Sequence, residues 1–200
     1  AGAFAGIAAS RRGSRTLIIE QFGALGGSAT LGLVLPLMST HMPNYRGHCP
    51  LSAELVERLR AVGGVEDDDY YFDTAMMKVV LEDMAVESGC ALLYYTTLVD
   101  VVREGDTVTH VIVSNKDGLT AYAAKCFIDG TGDADLAKAA GVPYESGNHN
   151  RVNQPVSLRF EMAGVDFDRF HAFMRSLGNN AHKYFAMNTA GMKEVLQKAH

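Results

Sequence analysis

The start of the chain joins a helix rich in small side chains to a short apolar strand that ends in an acid. The residue spacing predicts a helix over residues 2–12, and the apolar run over residues 15–20, which closes at Glu20, predicts a strand. Gly2 and Gly6 fall on one face of this helix, and residues without side chains let a helix approach a sheet closely. A continuous apolar strand is typical of a buried parallel sheet. The segment therefore predicts an α/β fold.

The glycines and the acid of this segment are the residue types that a nucleotide site in a βαβ unit uses. Free N–H groups at the start of a helix attract a diphosphate, and a glycine such as Gly2 lets the backbone come close to it. A carboxylate such as that of Glu20 accepts hydrogen bonds from ribose hydroxyls and would repel a 2′-phosphate. Gly2 stands where the last glycine of a G-x-G-x-x-G loop is expected, so the first strand and earlier glycines are expected to precede the sequence. The alternative is a set of packing glycines and a surface acid.

A second glycine-rich segment covers residues 23–32 and is expected to enter a short helix. Gly26 and Gly27 are adjacent, which allows the backbone to press against a cofactor. Ser28 and Thr30 follow them as candidate donors to a phosphate or to a cofactor ring. For this segment alone, a glycine turn with a helix N-cap is the alternative.

A third motif begins at a predicted buried strand over Cys126–Asp129. The strand leads into a turn that contains Gly132 and Asp133, and a helix is expected over about 133–140. Asp133 is a candidate acceptor for ribose or ribityl hydroxyls. An ordinary helix N-cap is the alternative for this position.

The sequence predicts two regions. Residues 1–144 hold the three motifs and include an irregular and partly helical excursion over residues 35–72. Residues 145–200 begin where the chain becomes polar and rich in turn residues, and we expect another domain to start there. The remaining expected elements are helices over about 51–62, 74–88, 166–176 and 189–199, and strands over Ala91–Thr96, Val99–Arg103, Val108–Ser114, Leu119–Ala124 and Gln154–Ala163. Short glycine turns separate the three strands between residues 99 and 124 and predict an antiparallel meander.

Composition argues against several classes of function. The formal net charge is −5 and no dense cluster of lysine and arginine is present, which argues against nucleic acid as a partner. No apolar run reaches the ~18 residues of a membrane span. Cys49, Cys90 and Cys126 form no C-x-x-C pair, which favours reduced thiols in a cytoplasmic protein. His41 is a candidate acid or base, with a non-catalytic loop histidine as the alternative, and no set of metal ligands is evident.

Taken together, the motifs resemble those of the FAD-dependent oxidoreductase family. This is the glutathione-reductase-type flavoprotein superfamily, near its succinate dehydrogenase and fumarate reductase flavoprotein branch. The resemblance covers residues 1–34 and 73–144, and it rests on Glu20, Leu25–Thr30, Asp129–Asp133 and Asp135–Ala137. It implies a Rossmann-like parallel sheet that binds FAD, an inserted antiparallel β-meander and the start of a substrate domain.

The resemblance also implies the cofactor-binding residues and the reaction. These residues are Gly2 at the pyrophosphate, Glu20 at the adenosine ribose with Gln21 beside it, Gly26, Gly27, Ser28 and Thr30 near the pyrophosphate and flavin, Leu98 at the adenine, and Gly132 and Asp133 on the other side of the cofactor. The implied reaction transfers a hydride or an electron pair between a small organic substrate and the bound flavin, and the catalytic residues are not identified. The family's first strand and C-terminal segment are expected to lie outside this sequence, so we expect the 200 residues alone to be poorly soluble and incomplete as an enzyme.

Two other hypotheses fit the same residues. An NAD-binding dehydrogenase would also use Glu20, but a plain NAD domain does not need the motif at Asp129–Asp133, which therefore favours FAD. The third hypothesis is a non-catalytic, nucleotide-free fragment. It follows from the expected lack of a first strand, which would leave buried amides in the sheet without partners.

Overall fold

A computed structural model describes residues 1–37, 49–66, 69 and 71–177. The chain divides into two units, Ala1–Ser157 and Leu158–His200. In the first unit the elements are α1 (Gly2–Arg11), β1 (Leu17–Ile19), a 3-10 turn (Gly27–Ala29), α2 (Pro50–Ala61), α3 (Thr74–Glu87), β2 (Ala91–Leu93), β3 (Thr97–Glu104), β4 (Thr107–Asn115), β5 (Gly118–Ala123) and α4 (Asp135–Ala139). In the second unit the described part contains α5 (Phe167–Leu177). The predicted domain boundary near residue 145 stays a prediction.

The strands form one parallel and one antiparallel sheet. β1 pairs in parallel with β2, with Ile18 opposite Leu92. β3, β4 and β5 pair antiparallel in chain order, with shifts of register after Leu98 and after Val102. The structure therefore confirms a mixed α/β fold in which a parallel pair and a three-stranded antiparallel sheet coexist.

Helix α1 lies against β1 through a glycine. A Cβ built on Gly6 would lie 2.7 Å from both Cδ1 and Cγ1 of Ile18. Only a residue without a side chain allows this approach of the helix to the strand, as the sequence predicted. Ile7, the next residue, is fully buried in the core.

The core of the first unit lies between α1, α2 and α3. Asp73 caps α3 because its carboxylate accepts hydrogen bonds from the amides of Ala75 and Met76. The helix then buries Met77 and Met84 against Leu59 of α2 and Ile7 of α1 in one apolar cluster. Burial of such side chains contributes about 1.5–3 kcal/mol each, so this cluster holds α1, α2 and α3 together.

Two expected strands do not form, and the strands expected over 15–20 and Ala91–Thr96 form only as β1 and β2, three residues each. Cys126–Asp129 was expected to be a buried strand, but no strand is assigned there in the described chain, and Ile128 is 59% exposed. Gln154–Ala163 has alternating apolar residues, yet no strand forms in this described segment and Val156 and Leu158 are exposed. β1 is shorter than expected and only partly buried, with Leu17 exposed. Alternation and apolar runs indicate strand propensity, but a strand also needs a neighbouring strand to receive its hydrogen bonds.

The helices agree more closely with the sequence expectations than the strands do. Helices over 51–62, 74–88 and 166–176 are confirmed to within two residues by α2, α3 and α5. The meander is confirmed by β3–β5, whose two turns contain Gly105 and Gly118 at positive φ. The helix expected over 189–199 lies outside the described residues.

Candidate cofactor site

The ends of the two parallel strands lie side by side. Beyond β1, the amide of Glu20 donates to the carbonyl of Leu93 over 2.9 Å, and the Glu20 carbonyl accepts from the amide of Thr96 over 3.0 Å. Two residues beyond Glu20, the Phe22 carbonyl accepts a hydrogen bond from the Tyr95 amide over 3.1 Å. The structure therefore brings residues that follow β1 against those that follow β2, which is the sheet edge at which open α/β sheets bind ligands.

Glu20 is half-buried at this edge. Its Oε1 accepts a hydrogen bond from the amide of Phe22 over 3.0 Å, which holds the carboxylate close to its own backbone. Within the described ranges no hydrogen bond to its Oε2 is found, and a carboxylate oxygen can accept two. The neighbouring Gln21 is exposed. The other predicted residue nearby, Leu98, lies in β3 opposite Val113 and is joined to this edge through Thr96.

The start of α1 touches the turn after residue 129. A Cβ built on Gly130 would lie 2.7 Å from the Cα of Gly2 and 3.1 Å from its nitrogen. This contact between two backbones joins the first and the third sequence motifs. No side chain caps the N-terminus of α1, so the first backbone amides of the helix are available to an acceptor other than a capping side chain.

The start of α1 also lies at the same end of the sheet as Glu20. Gly6 touches Ile18, and farther along α1 the Ser10 hydroxyl donates to the Ser88 carbonyl just before β2. Because β1 and β2 are parallel, α1 and β1 run in opposite directions. From Gly6 to Gly2 the helix rises about 6 Å, and from Ile18 to Glu20 the strand advances about 7 Å in the same direction. Gly2 and Glu20 are therefore level with each other along the sheet.

Asp129 organises the turn that contains Gly132 and Asp133. Its Oδ1 accepts from the amide and the hydroxyl of Thr131 over 3.0 and 2.7 Å, and its Oδ2 accepts from the Ala137 amide over 2.9 Å. Partial burial raises the pKa of Asp129, but these hydrogen bonds outweigh burial and hold the pKa below its ordinary value. Gly132 has φ of 89° and Asp133 is exposed. Sequence reasoning did not assign this role to Asp129, although an Asp at a turn commonly accepts from the backbone amide two residues on and forms an Asx turn.

The glycine-rich loop packs on α3. A Cβ built on Gly26 would lie 2.6 Å from Cγ2 of Thr30 and 3.0 Å from Cδ1 of Leu81, whereas at Gly27 nothing lies within 4 Å. Ser28 is exposed beside Gly27. The loop therefore has one packed glycine and one glycine that opens to the outside.

Thr30 departs from its expected role as a donor to a ligand. Its side chain is fully buried, and its hydroxyl donates to the carbonyl of Leu25 over 2.8 Å. Its amide donates to the Gly27 carbonyl over 3.1 Å. Both of its protons are therefore used inside the loop, and Thr30 shapes the loop.

Other predicted features lie elsewhere. His41 lies outside the described residues. No group of three or more His, Cys, Asp or Glu that could hold a metal ion is found in the described part of the chain. Cys49 and Cys126 are exposed and Cys90 is buried, and all three are free thiols. Among the described helices, none has both the length and the apolar character needed to cross a lipid bilayer.

Comparison with known proteins gives the family. The model of the family described as FAD dependent oxidoreductase matches residues 1–198. A comparison with curated proteins found no match. Among solved structures the chain is similar to THI4 of Thermovibrio ammonificans, with 19% identity, a TM-score of 0.47, and coverage of 70% of this chain and 59% of that one.

It is also similar to BexE, which is described as acting in oxidation during BE-7585A biosynthesis, with 20% identity, a TM-score of 0.48 and coverage of 72% and 32%. A third structure is glycerol-3-phosphate dehydrogenase from Bacillus halodurans complexed with FAD, with 15% identity, a TM-score of 0.45 and coverage of 69% and 34%. The chain spans less than two thirds of the length of each of these proteins. From the match to the family model, the chain belongs to the family of FAD-dependent oxidoreductases, and its cofactor is FAD rather than NAD.

Proposed function

We propose that this chain supplies the FAD-binding part of a cytoplasmic oxidoreductase, built on a Rossmann-like sheet with the meander β3–β5 as an insertion. A substrate domain is proposed to begin near residue 145 and to receive a small organic molecule. Bound FAD would accept a hydride or an electron pair from that substrate. The cytoplasmic location is proposed from the three free thiols.

The single observation that carries the proposal is the contact between Gly2 and Gly130. It brings two glycine motifs, far apart in sequence, to the end of the sheet where Glu20 lies. A side chain at position 130 would push this turn away from the first turn of α1, where amides and the positive end of the helix dipole favour a diphosphate. The residues therefore fit a dinucleotide whose diphosphate lies against the first amides of α1, beside the contact between Gly2 and Gly130.

Each remaining residue has a proposed contact with FAD. Glu20 accepts hydrogen bonds from the adenosine ribose through Oε2, with Gln21 beside it. The open Gly27 and the exposed Ser28 approach the diphosphate and the flavin, with Gly26 and Thr30 holding the loop in shape. The backbone of Leu98 contacts the adenine, and Gly132 and Asp133 line the ribityl side. These residues bind and orient the cofactor and exclude water from it; none is proposed as an acid or a base.

The test is a calorimetric titration of the full 200-residue chain with FAD, with NAD as a competitor. We expect FAD to bind and Glu20→Gln to weaken binding about 10- to 100-fold, because a hydrogen bond to a charged group contributes about 1.5–3 kcal/mol. Glu104→Gln, at an exposed turn of the meander, is the matched control and should bind as the wild type does.

Two outcomes contradict the proposal. One is a wild-type chain that stays colourless after incubation with FAD and dialysis, which supports a nucleotide-free fragment. The other is binding of FAD with equal affinity by the wild type and by Glu20→Gln, which removes the ribose contact from the proposal.

A further inference from the structure

Tyr95 has an unusual backbone conformation. It lies two residues after β2 and has φ of 51°, the left-handed region that favours glycine. The residue is 72% exposed, so burial of the ring does not compensate for this conformation. Strained residues of this kind cluster at sites that clamp a ligand.

The ring of Tyr95 lies against Gly23. A Cβ built on Gly23 would lie 2.1 Å from the Tyr95 hydroxyl oxygen and 2.5 Å from Cζ. Glycine at position 23 therefore makes room for the tip of the ring, while the rest of the ring stays open to solvent. The bond from the Tyr95 amide to the Phe22 carbonyl, at 3.1 Å, fixes the backbone on which the ring is mounted.

The adjacent tyrosine behaves differently. The hydroxyl of Tyr94 donates to Oε2 of Glu82 over 2.6 Å, and Tyr94 packs against the apolar core. Burial, together with this hydrogen bond, raises the pKa of Tyr94 above its ordinary value. Tyr94 therefore has a structural role, which leaves Tyr95 as the tyrosine of this pair with an exposed ring.

Tyr95 stands beside Glu20. Its neighbour Thr96 donates to the Glu20 carbonyl over 3.0 Å, and Phe22, which accepts from Tyr95, also donates to the Glu20 carboxylate over 3.0 Å. An adenine is bonded directly to its ribose, so a ribose held by Glu20 places the purine next to residues that flank this carboxylate. The exposed side chain of Phe22 adds a second aromatic group at the same edge.

We propose that Tyr95 is a cofactor-binding residue, which binds the adenine of FAD by stacking its exposed ring on the purine. The inference rests on the proposed function, because it needs the ribose at Glu20. Aromatic rings stack on bases through their faces, so the ring contributes to binding and the hydroxyl does not. The left-handed backbone and Gly23 together hold the ring in place before the ligand arrives, which lowers the entropy cost of binding.

The test is a calorimetric titration of the full chain with FAD and with ADP, which carries the adenine, ribose and diphosphate but no flavin. We expect Tyr95→Ala to weaken both ligands about 5- to 100-fold, the usual effect of removing an aromatic ring from a stacked base. Tyr95→Phe keeps the ring and should bind both within about threefold of the wild type. Tyr144→Ala, at another exposed tyrosine, is the matched control and should change neither affinity.

A second measurement separates binding from loop structure. Glycine tolerates positive φ, so Tyr95→Gly relieves the backbone while it removes the ring. We expect the denaturant midpoint of this variant without ligand to equal or exceed that of the wild type, with ADP affinity as weak as in Tyr95→Ala. A purely structural tyrosine would instead lower the midpoint in both variants.

Three results overturn the inference: wild-type affinity in Tyr95→Ala, equal weakening in Tyr95→Phe and Tyr95→Ala, or a lowered midpoint in Tyr95→Gly. Failure of the proposed function has a different signature. In that case the wild-type chain itself binds neither FAD nor ADP, and the Tyr95 variants bind neither ligand as well.

Discussion

At the scale of single residues, the site depends on where a Cβ fits. Gly6 and Gly130 each lie in a contact that a Cβ would disturb, whereas Gly27 opens outward. Glycines therefore have different structural roles: Gly6 lets a helix approach a strand, and Gly27 faces open space. The glycine-rich loop shows this difference at two adjacent positions.

Gly26 and Gly27 give a matched pair of variants. Gly26→Ala should lower the free energy of unfolding by about 2 kcal/mol or more, because φ is 111° and the new Cβ would meet Thr30 and Leu81. Gly27→Ala should cost only about 1 kcal/mol, because φ is 53° and no neighbour lies nearby. Denaturant unfolding measures both. FAD titrations of both variants measure the loss of affinity. Relative to its loss of stability, we expect Gly27→Ala to lose more FAD affinity than Gly26→Ala. An equal ratio for the two variants would argue against a ligand at the open face of Gly27.

At the scale of elements, short segments are held by side chains from elsewhere in the chain. Helix α4 is only five residues long, too short to be stable alone. The carboxylate of Asp129 accepts a hydrogen bond from the amide of Ala137 in α4. Just after the helix, Arg103 of β3 donates to the Ala140 carbonyl over 2.5 Å. The turn with Gly132 and Asp133 is thereby tied to the meander that holds Leu98.

The Asp129 bonds predict a pH dependence. The folded-state pKa of Asp129 lies below its ordinary value of 3.8, so its carboxylate stabilises the fold fully at pH values above 3.8. This contribution is lost as the pH falls from there through the folded-state pKa. At pH 7 we expect Asp129→Asn to lower the free energy of unfolding by about 1–3 kcal/mol.

Urea unfolding of the wild type and of Asp129→Asn at several pH values measures this contribution. The difference between the two proteins should shrink as the pH falls below 3.8. A difference that stays constant with pH would show that the charge of Asp129 contributes nothing to stability. Exposed Asp117→Asn serves as the control, with little change expected at any pH.

At the scale of the whole first unit, an ion-pair network links the three helices around the core. Arg11 of α1 bonds Glu54 of α2 over 2.6 Å, and Arg58 of α2 bonds both Glu54 over 3.0 Å and Glu87 of α3 over 2.7 Å. The hydrogen bond from Arg11, with the nearby charge of Arg58, holds the pKa of Glu54 below its ordinary value. The network fixes the end of α1 opposite to Gly2, so it acts on stability and not on the site directly.

Glu54→Gln should lower the free energy of unfolding by about 1 kcal/mol, because it leaves two guanidinium groups without their shared carboxylate. The loss should shrink in 1 M salt, where the screening length falls to ~3 Å. Asp83→Asn, at an exposed carboxylate of α3, is the control and should change stability by less than ~0.5 kcal/mol. A loss for Glu54→Gln that is independent of salt would point to packing and not to charge.

The sequence by itself determined the helices α1–α3, the meander and the three motifs, because caps, turn residues and periodicity act within a few residues. Only the tertiary structure decided the rest. Cys126–Asp129 and Gln154–Ala163 do not form the expected strands, since a strand needs a hydrogen-bonding partner that no local pattern reveals. The tertiary structure turned the Thr30 hydroxyl inward, gave Asp129 its role, and placed Gly130 on Gly2 and Tyr95 on Gly23. Each of these depends on contacts and hydrogen-bond partners distant in the chain or on the three-dimensional path of a loop.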